Sequence, residues 1–211
     1  MVLMVRGSKP GSVFRLNGAD ENSATYALGW VLEQSHNFRL AMVSAWMGEV
    51  VDVDDAIITL QTHGSDGGYT DIEVHSGLRF HAIMEAKRWW DVPTEEQLRR
   101  YQPRLVGGGA QMQRLVSISS ADAAFAGRRL PKYIEGAEIV HQSWGDVQRL
   151  ARQARADSAG FEEKLWLTTL NDVLTDPPAI GAAIASNNAD NRAGIRLARS
   201  SSRAAAQPND S

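Results

Sequence analysis

Phe80-His81-Ala82-Ile83-Met84-Glu85-Ala86-Lys87 is the stretch on which the fold turns. It reads as the body of a strand running from Arg79 to Trp90, with Phe80, Ala82, Met84 and Ala86 on one side. Strand side chains alternate faces, so Glu85 and Lys87 project together to the other side. Asp71 opens the preceding strand, Asp71-Ile72-Glu73-Val74, 14 residues before Glu85, and a Ser76-Gly77 turn separates the two. A hairpin of this kind brings the start of one strand beside the end of the next. One sheet edge then carries two carboxylates and an amine.

That set has a definite chemistry. Hard cations such as Mg²⁺ take oxygen ligands, usually one or two carboxylates with water and a substrate phosphate. A neighbouring ammonium orients a metal-bound water or offsets charge developing on phosphorus. An acid-x-lysine triplet alone carries little weight, because Glu162-Glu163-Lys164 is a second example inside a predicted helix, where the alternation fails. The apolar strand before Glu85 and the aspartate one hairpin upstream give the first triplet its weight.

Upstream, an Asn17-Gly18 turn precedes a helix predicted over Asp20–Gln34, where Ala24, Leu28, Val31 and Leu32 recur at helical spacing. A mixed stretch runs to Asp55, followed by the β-branched strand Ile57–Thr62 and a Gly64–Gly68 turn. Downstream, a short helix over Thr94–Gln102 is bounded by Pro93 and Pro103, and Gly107-Gly108-Gly109 forms a loop. Leu115–Ser119 and Glu138–His141 read as strands; Trp144–Ala156 and Phe161–Leu174 read as helices, with Ser143 and Ser158 as caps. The expected organisation is an N-terminal extension over 1–16, a single α/β domain over 17–185 and a disordered tail over 186–211. No repeat is visible.

Three more residues join the constellation. Glu21 lies one turn before Ala24 and Thr25 on the face of the first helix that packs on the sheet, where a carboxylate is costly unless paired or metal-bound. The competing role for it is to complement the helix dipole. Gln97 and Tyr101 are four apart and share a helix face that reaches over the site. Thr94-Glu95-Glu96-Gln97 also matches a capping box, which explains Gln97 without function but leaves Tyr101 unexplained.

An acidic first helix, Asp71, Glu85-Ala86-Lys87 on a strand, then Gln97-x-x-x-Tyr101 on a helix resembles the PD-(D/E)xK nuclease superfamily. The resemblance spans Glu21 to Ser119, about half the chain, and its Gln-x-x-x-Tyr element is similar to that of RecB-type members. It implies a restriction-endonuclease-like core, a small mixed sheet flanked by helices in the order α-β-β-β-α-β, with extra C-terminal helices. It also implies a Mg²⁺ cofactor, with Mn²⁺ as a substitute, held by Asp71, Glu85 and Glu21. Lys87 would assist the attacking water, with Gln97 and Tyr101 in support. Thr70 replaces the proline that often precedes the aspartate, which leaves Glu73 as a substitute ligand. The implied reaction is phosphodiester hydrolysis of nucleic acid, DNA ahead of RNA. A catalytically silent nucleic-acid- or protein-binding module on the same fold is the alternative.

Charge bears on the partner. The net charge of −3 averages an acidic segment, −9 over residues 17–73, with a basic one, +5 over residues 79–132. Arg88, Arg99, Arg100 and Arg104 flank the proposed centre, and Arg114, Arg128, Arg129 and Lys132 follow. Cations around a carboxylate centre suit a polyanion, although ion pairs with Asp91, Glu95 and Glu96 compete for them. Trp89 and Trp90 are expected to pack rather than stack on bases, and His81 to be a satisfied core histidine behind Glu85.

Composition excludes several classes. At 211 residues, 43% hydrophobic and without cysteine, the chain needs no staple and offers no Cys-ligated zinc or iron–sulfur site. Apolar runs fall short of a membrane span and Met1–Pro10 lacks a signal-peptide core, so a cytoplasmic location without membrane attachment is expected. No G-x-S-x-G or G-x-x-x-x-G-K-[ST] element supports serine hydrolysis or an NTPase. A homodimer would suit cleavage of two strands.

Overall fold

Six strands form one mixed sheet in the computed structural model, which describes residues 21–63, 68–87 and 89–175. In chain order the elements are α1 (Glu21–Gln34), α2 (His36–Met47), β1 (Ile57–His63), β2 (Tyr69–Ser76), β3 (Phe80–Ala86) and α3 (Glu95–Gly107). They continue with β4 (Met112–Ser119), α4 (Ala123–Gly127), β5 (Tyr133–Ile134), β6 (Ala137–Ser143), α5 (Trp144–Asp157) and α6 (Phe161–Thr175). The strand order is β1-β2-β3-β4-β6-β5. β1, β2 and β3 make an antiparallel meander, β3, β4 and β6 run parallel, and β5 lies antiparallel to β6. The α/β class is as expected. The outermost predicted segments, residues 1–16 and 186–211, lie outside the described residues.

The two sheet faces are unequal. Ile72, Val74, Phe80, Ala82, Met84, Ala86, Val116 and Ile118 point to the larger core, shared with α1, α2, α5 and α6. The opposite face contributes Ile83 and Leu115 to a smaller cluster with Leu98, Tyr101 and Leu105 of α3. That smaller cluster leaves polar side chains room beside α3.

α2 occupies part of the stretch that the sequence leaves without an assignment. The Ser35 hydroxyl accepts the Phe38 N–H at 3.2 Å, and Gly48 ends the helix at φ +80 in the left-handed region that glycine tolerates. Pro103, expected to end α3, lies inside it, and the helix continues to Gly107. Proline removes one intrahelical bond and costs about 3 kcal/mol; burial of Tyr101, Gln102 and Leu105 around it holds the helix together. β3 stops at Ala86 rather than Trp90, and β2 extends to Tyr69 and Ser76. Ser143 caps α5, whereas Ser158 sits at its C-terminal end and donates to Glu163. No described helix is long and apolar enough to cross a membrane.

Candidate active site

Register places the acids. Ile72 pairs with Met84 and Glu73 with Ile83, so the next rung sets Asp71 opposite Glu85. Directly opposite residues on antiparallel strands share a face, so the two acids fall side by side on the same side of the sheet. Asp71 Oδ2 accepts the Ala86 N–H at 2.8 Å, which ties the start of β2 to the end of β3. Gln61, flanked in the β1–β2 register by Leu60 opposite Ile72 and Thr62 opposite Thr70, donates from Nε2 to Asp71 Oδ1 at 3.3 Å. On the other side Glu85 is level with Ser117, and Ser117 with His141. One polar row, Gln61–Asp71–Glu85–Ser117–His141, therefore crosses five strands on the α3 face.

Glu85 is the best-held member. Lys87 Nζ lies 2.6 Å from Oε1, Gln97 Nε2 lies 3.4 Å from the same oxygen, and the Tyr101 hydroxyl lies 2.8 Å from Oε2. Lys87 follows the end of β3, yet its backbone is fixed: its N–H donates to Ile118 O at 2.7 Å, and its carbonyl accepts from Trp144 Nε1 at 3.3 Å. Gln97 fills both predicted roles, since its Oε1 accepts the Thr94 N–H at 3.0 Å to close the capping box while Nε2 reaches Glu85. Tyr101 also lies 2.9 Å from Tyr69 O. Burial, then the neighbouring Glu85 charge, pushes the Tyr101 phenol above its ordinary range, so it serves as a neutral donor.

No family model matches the chain, and neither a curated protein nor a solved structure matches it significantly.

Glu73, on the same face, has a different environment. It accepts from Thr70 at 2.8 Å and Arg104 Nη1 at 2.5 Å, with His81 Nε2 at 3.4 Å. Burial pushes its carboxyl up, but hydrogen bonds from His81, Arg104 and Thr70 and the Arg104 charge outweigh this and hold it at about 2. His81 is thus a partnered core histidine. Glu73 is committed to Arg104, which argues against its replacing Asp71.

Of the four arginines expected to meet nucleic acid, Arg104 is turned inward, to Glu73 and the Thr62 carbonyl. Arg99 pairs at the surface with Glu95 at 2.5 Å and Glu135 at 3.1 Å. Arg100 is exposed on α3, and Arg88 lies outside the described residues. Arg114 binds the Trp46 and Met47 carbonyls at the end of α2 and is partly buried there. Trp90 packs edge-on against Phe125, as expected for a packing residue.

The donor chemistry at Asp71 and Glu85 fits a hard cation: two carboxylates and no soft ligand. Among the described residues no group of three or more His, Asp and Glu side chains is gathered for a metal ion. Glu21 opens α1, but its side chain lies outside the described residues. Backbone strain marks the site's borders: Gln61 adopts φ +51 and Trp89 φ +61, both rare for non-glycine residues. Gln61, Ser117 and His141 belong to no motif that the sequence displays. Gln61 could have been found by counting outward from the hairpin, since it falls opposite Asp71.

Proposed function

We propose that the protein is a Mg²⁺-dependent nuclease that hydrolyses phosphodiester bonds, in DNA ahead of RNA, on a restriction-endonuclease-like core. The observation that carries this reading is the rung that sets Asp71 beside Glu85 with Lys87 Nζ 2.6 Å from the latter. The element order α1, β1, β2, β3, α3, β4 supports it, with α2 inserted after α1. So does the convergence of Gln97 and Tyr101 on Glu85.

Asp71 and Glu85 are the residues that would hold Mg²⁺, which when bound lowers the pKa of water and offsets charge on the phosphoryl oxygens. The chain's own contribution is positional. The Ala86 N–H fixes Asp71, Tyr101 and Gln97 fix Glu85, and the anchored backbone of Lys87 holds its ammonium beside the carboxylates. There the ammonium can orient a water or stabilise a developing oxyanion.

The test compares cleavage of a labelled DNA strand with Mg²⁺ by wild type, Lys87→Ala and Asp71→Ala. Cleavage by wild type and its loss in both variants is expected, together with a Mg²⁺-dependent rise in Tm that Glu85→Ala abolishes. Equal cleavage by all three proteins would sink the assignment. Nucleic-acid binding without cleavage or Mg²⁺-dependent stabilisation would instead mark a silent binding module.

A further inference from the structure

Beyond β4 the chain builds a second feature on the α3 face. The segment from α4 to β5 lies over β6 and borders a cavity of about 410 Å³, within the size range of small-molecule sites. Its walls include Ala126, Leu130, Pro131 and Ile139, with Lys132 and His141 as the polar members. His141 Nδ1 is 3.1 Å from Ser117 Oγ and Nε2 is 2.9 Å from Ala121 O. Both ring nitrogens are thus engaged, which leaves the face of the imidazole for a ligand.

The surroundings are cationic. Arg128, Arg129 and Lys132 are exposed, and residues 123–134 contain no acid. The nearby acids are occupied: Glu135 pairs with Arg99, Glu138 with Arg114 at 3.1 Å, and Asp122 caps α4 through the Phe125 N–H. Among the described residues no carboxylate pairs with Arg128, Arg129 or Lys132. Arg129 instead lies over the Phe125 ring at 4.5 Å, and Lys132 lies 5.4 Å from the Tyr133 ring.

The geometry points to a subsite for one unpaired nucleotide, with its base in the cavity against Leu130, Ile139 and His141 and its phosphates on Arg128, Arg129 and Lys132. A nucleobase is flat and apolar on its faces, and flexible cations at the rim suit the sugar-phosphate backbone. A paired base cannot enter such a cavity, so the occupant is a single strand or an extruded nucleotide. His141 belongs to the same polar row as Glu85 two strands away, about 10 Å at ordinary strand spacing. One strand can therefore engage both features. Its role beside the reaction centre rests on the nuclease reading; binding of the base does not.

The experiment measures fluorescence anisotropy of a short labelled oligothymidylate and an abasic strand of equal length, in chelator so that no cleavage occurs. Wild type is expected to bind the base-bearing strand about tenfold or more tightly than the abasic one. Ala123→Leu, an exposed substitution that fills the cavity, should abolish that preference and leave abasic binding unchanged. Replacing Arg128, Arg129 and Lys132 together by alanine should weaken both strands and make the log–log salt slope shallower by about 2. Equal binding of the two strands by wild type, binding of neither, or a preference that survives Ala123→Leu overturns the subsite. If cleavage fails its test while the base preference persists, the nuclease reading falls and the subsite stands. If the preference is missing while cleavage persists, only the subsite falls.

Discussion

Glu73 and Glu85 lie on neighbouring strands of one sheet face, each almost fully buried, and they solve the problem of a buried charge in opposite ways. Glu73 faces Ile83 across the rung and receives a full guanidinium from Arg104, so its ion pair is closed. Glu85 faces a second carboxylate, Asp71, and takes Lys87 as its cation, with neutral donors from Tyr101 and Gln97. Side-by-side carboxylates repel, and a structure that keeps them together gains by binding a cation. The first arrangement suits holding α3 to the sheet; the second suits the metal chemistry proposed for it.

The largest expected effect comes from removing charge at the open pair. Asp71→Asn or Glu85→Gln should lower the proposed Mg²⁺-dependent cleavage by about a thousandfold, some 4 kcal/mol of barrier. Asp71→Asn should not lower Tm in chelator by more than a few degrees, because it relieves repulsion and leaves the Lys87–Glu85 pair intact. Single-turnover cleavage and thermal unfolding measure the two halves. A large loss of Tm with activity retained would erase the contrast between the two glutamates.

Glu73→Gln should do the reverse. It leaves Arg104 partly buried without its carboxylate, a loss of about 3 kcal/mol in unfolding free energy. Cleavage per folded molecule should change little. Denaturant unfolding followed by activity measured well below the transition separates the two effects.

Acid sharpens the same contrast. The Glu73 carboxyl, held at about 2 in the folded chain, returns to its ordinary 4.5 on unfolding. A depressed folded value means stability that is present above about 4.5 and drains away as pH falls towards 2. The pH profile of unfolding should therefore drop through this window in wild type and more shallowly in Glu73→Gln. Asp146, whose pKa is also lowered, loses its contribution in both proteins and so cancels in the comparison. Parallel profiles would remove the ion pair from the account of stability.

Much of this is legible in the sequence. The strand read over Arg79–Trp90, shorter in the fold at Phe80–Ala86, its hairpin with β2 and the placing of Asp71 beside Glu85 follow from a period of two and a short turn. α2 escapes a periodicity reading, although Ser35 and Gly48 stand at its ends and Phe38, Met42 and Trp46 recur every four residues. An apolar helix buried over a wide arc lacks the polar contrast that periodicity needs. Pro103 misled because a local rule, that proline ends a helix, was overridden by the packing of Tyr101 and Leu105. Which arginine serves Glu73 and which stays at the surface is a long-range fact: Arg104 lies 31 residues from its partner, and only the crossover from β3 through α3 brings them together.

The smallest expected effect is at Tyr101, and it tests whether Glu85 is merely held or also assisted. Tyr101→Phe keeps the buried ring among Leu98, Leu105 and Ile83 and deletes only the hydroxyl shared by Glu85 Oε2 and Tyr69 O. Loss of such a bond costs about 1 kcal/mol of stability. Cleavage should fall only about fivefold, because Lys87 and Gln97 still grip Oε1. Gln97→Ala should behave similarly, and the double variant should lose more than the sum of the two, since each restrains the carboxylate that the other releases. A Mg²⁺ titration of cleavage locates the loss: a weaker apparent metal affinity with an unchanged maximal rate is the signature of a positioning residue. If Tyr101→Phe instead abolishes cleavage as completely as Asp71→Asn, the hydroxyl acts on the reacting phosphate itself. The neutral donors around Glu85 would then belong to the chemistry and not to its scaffold.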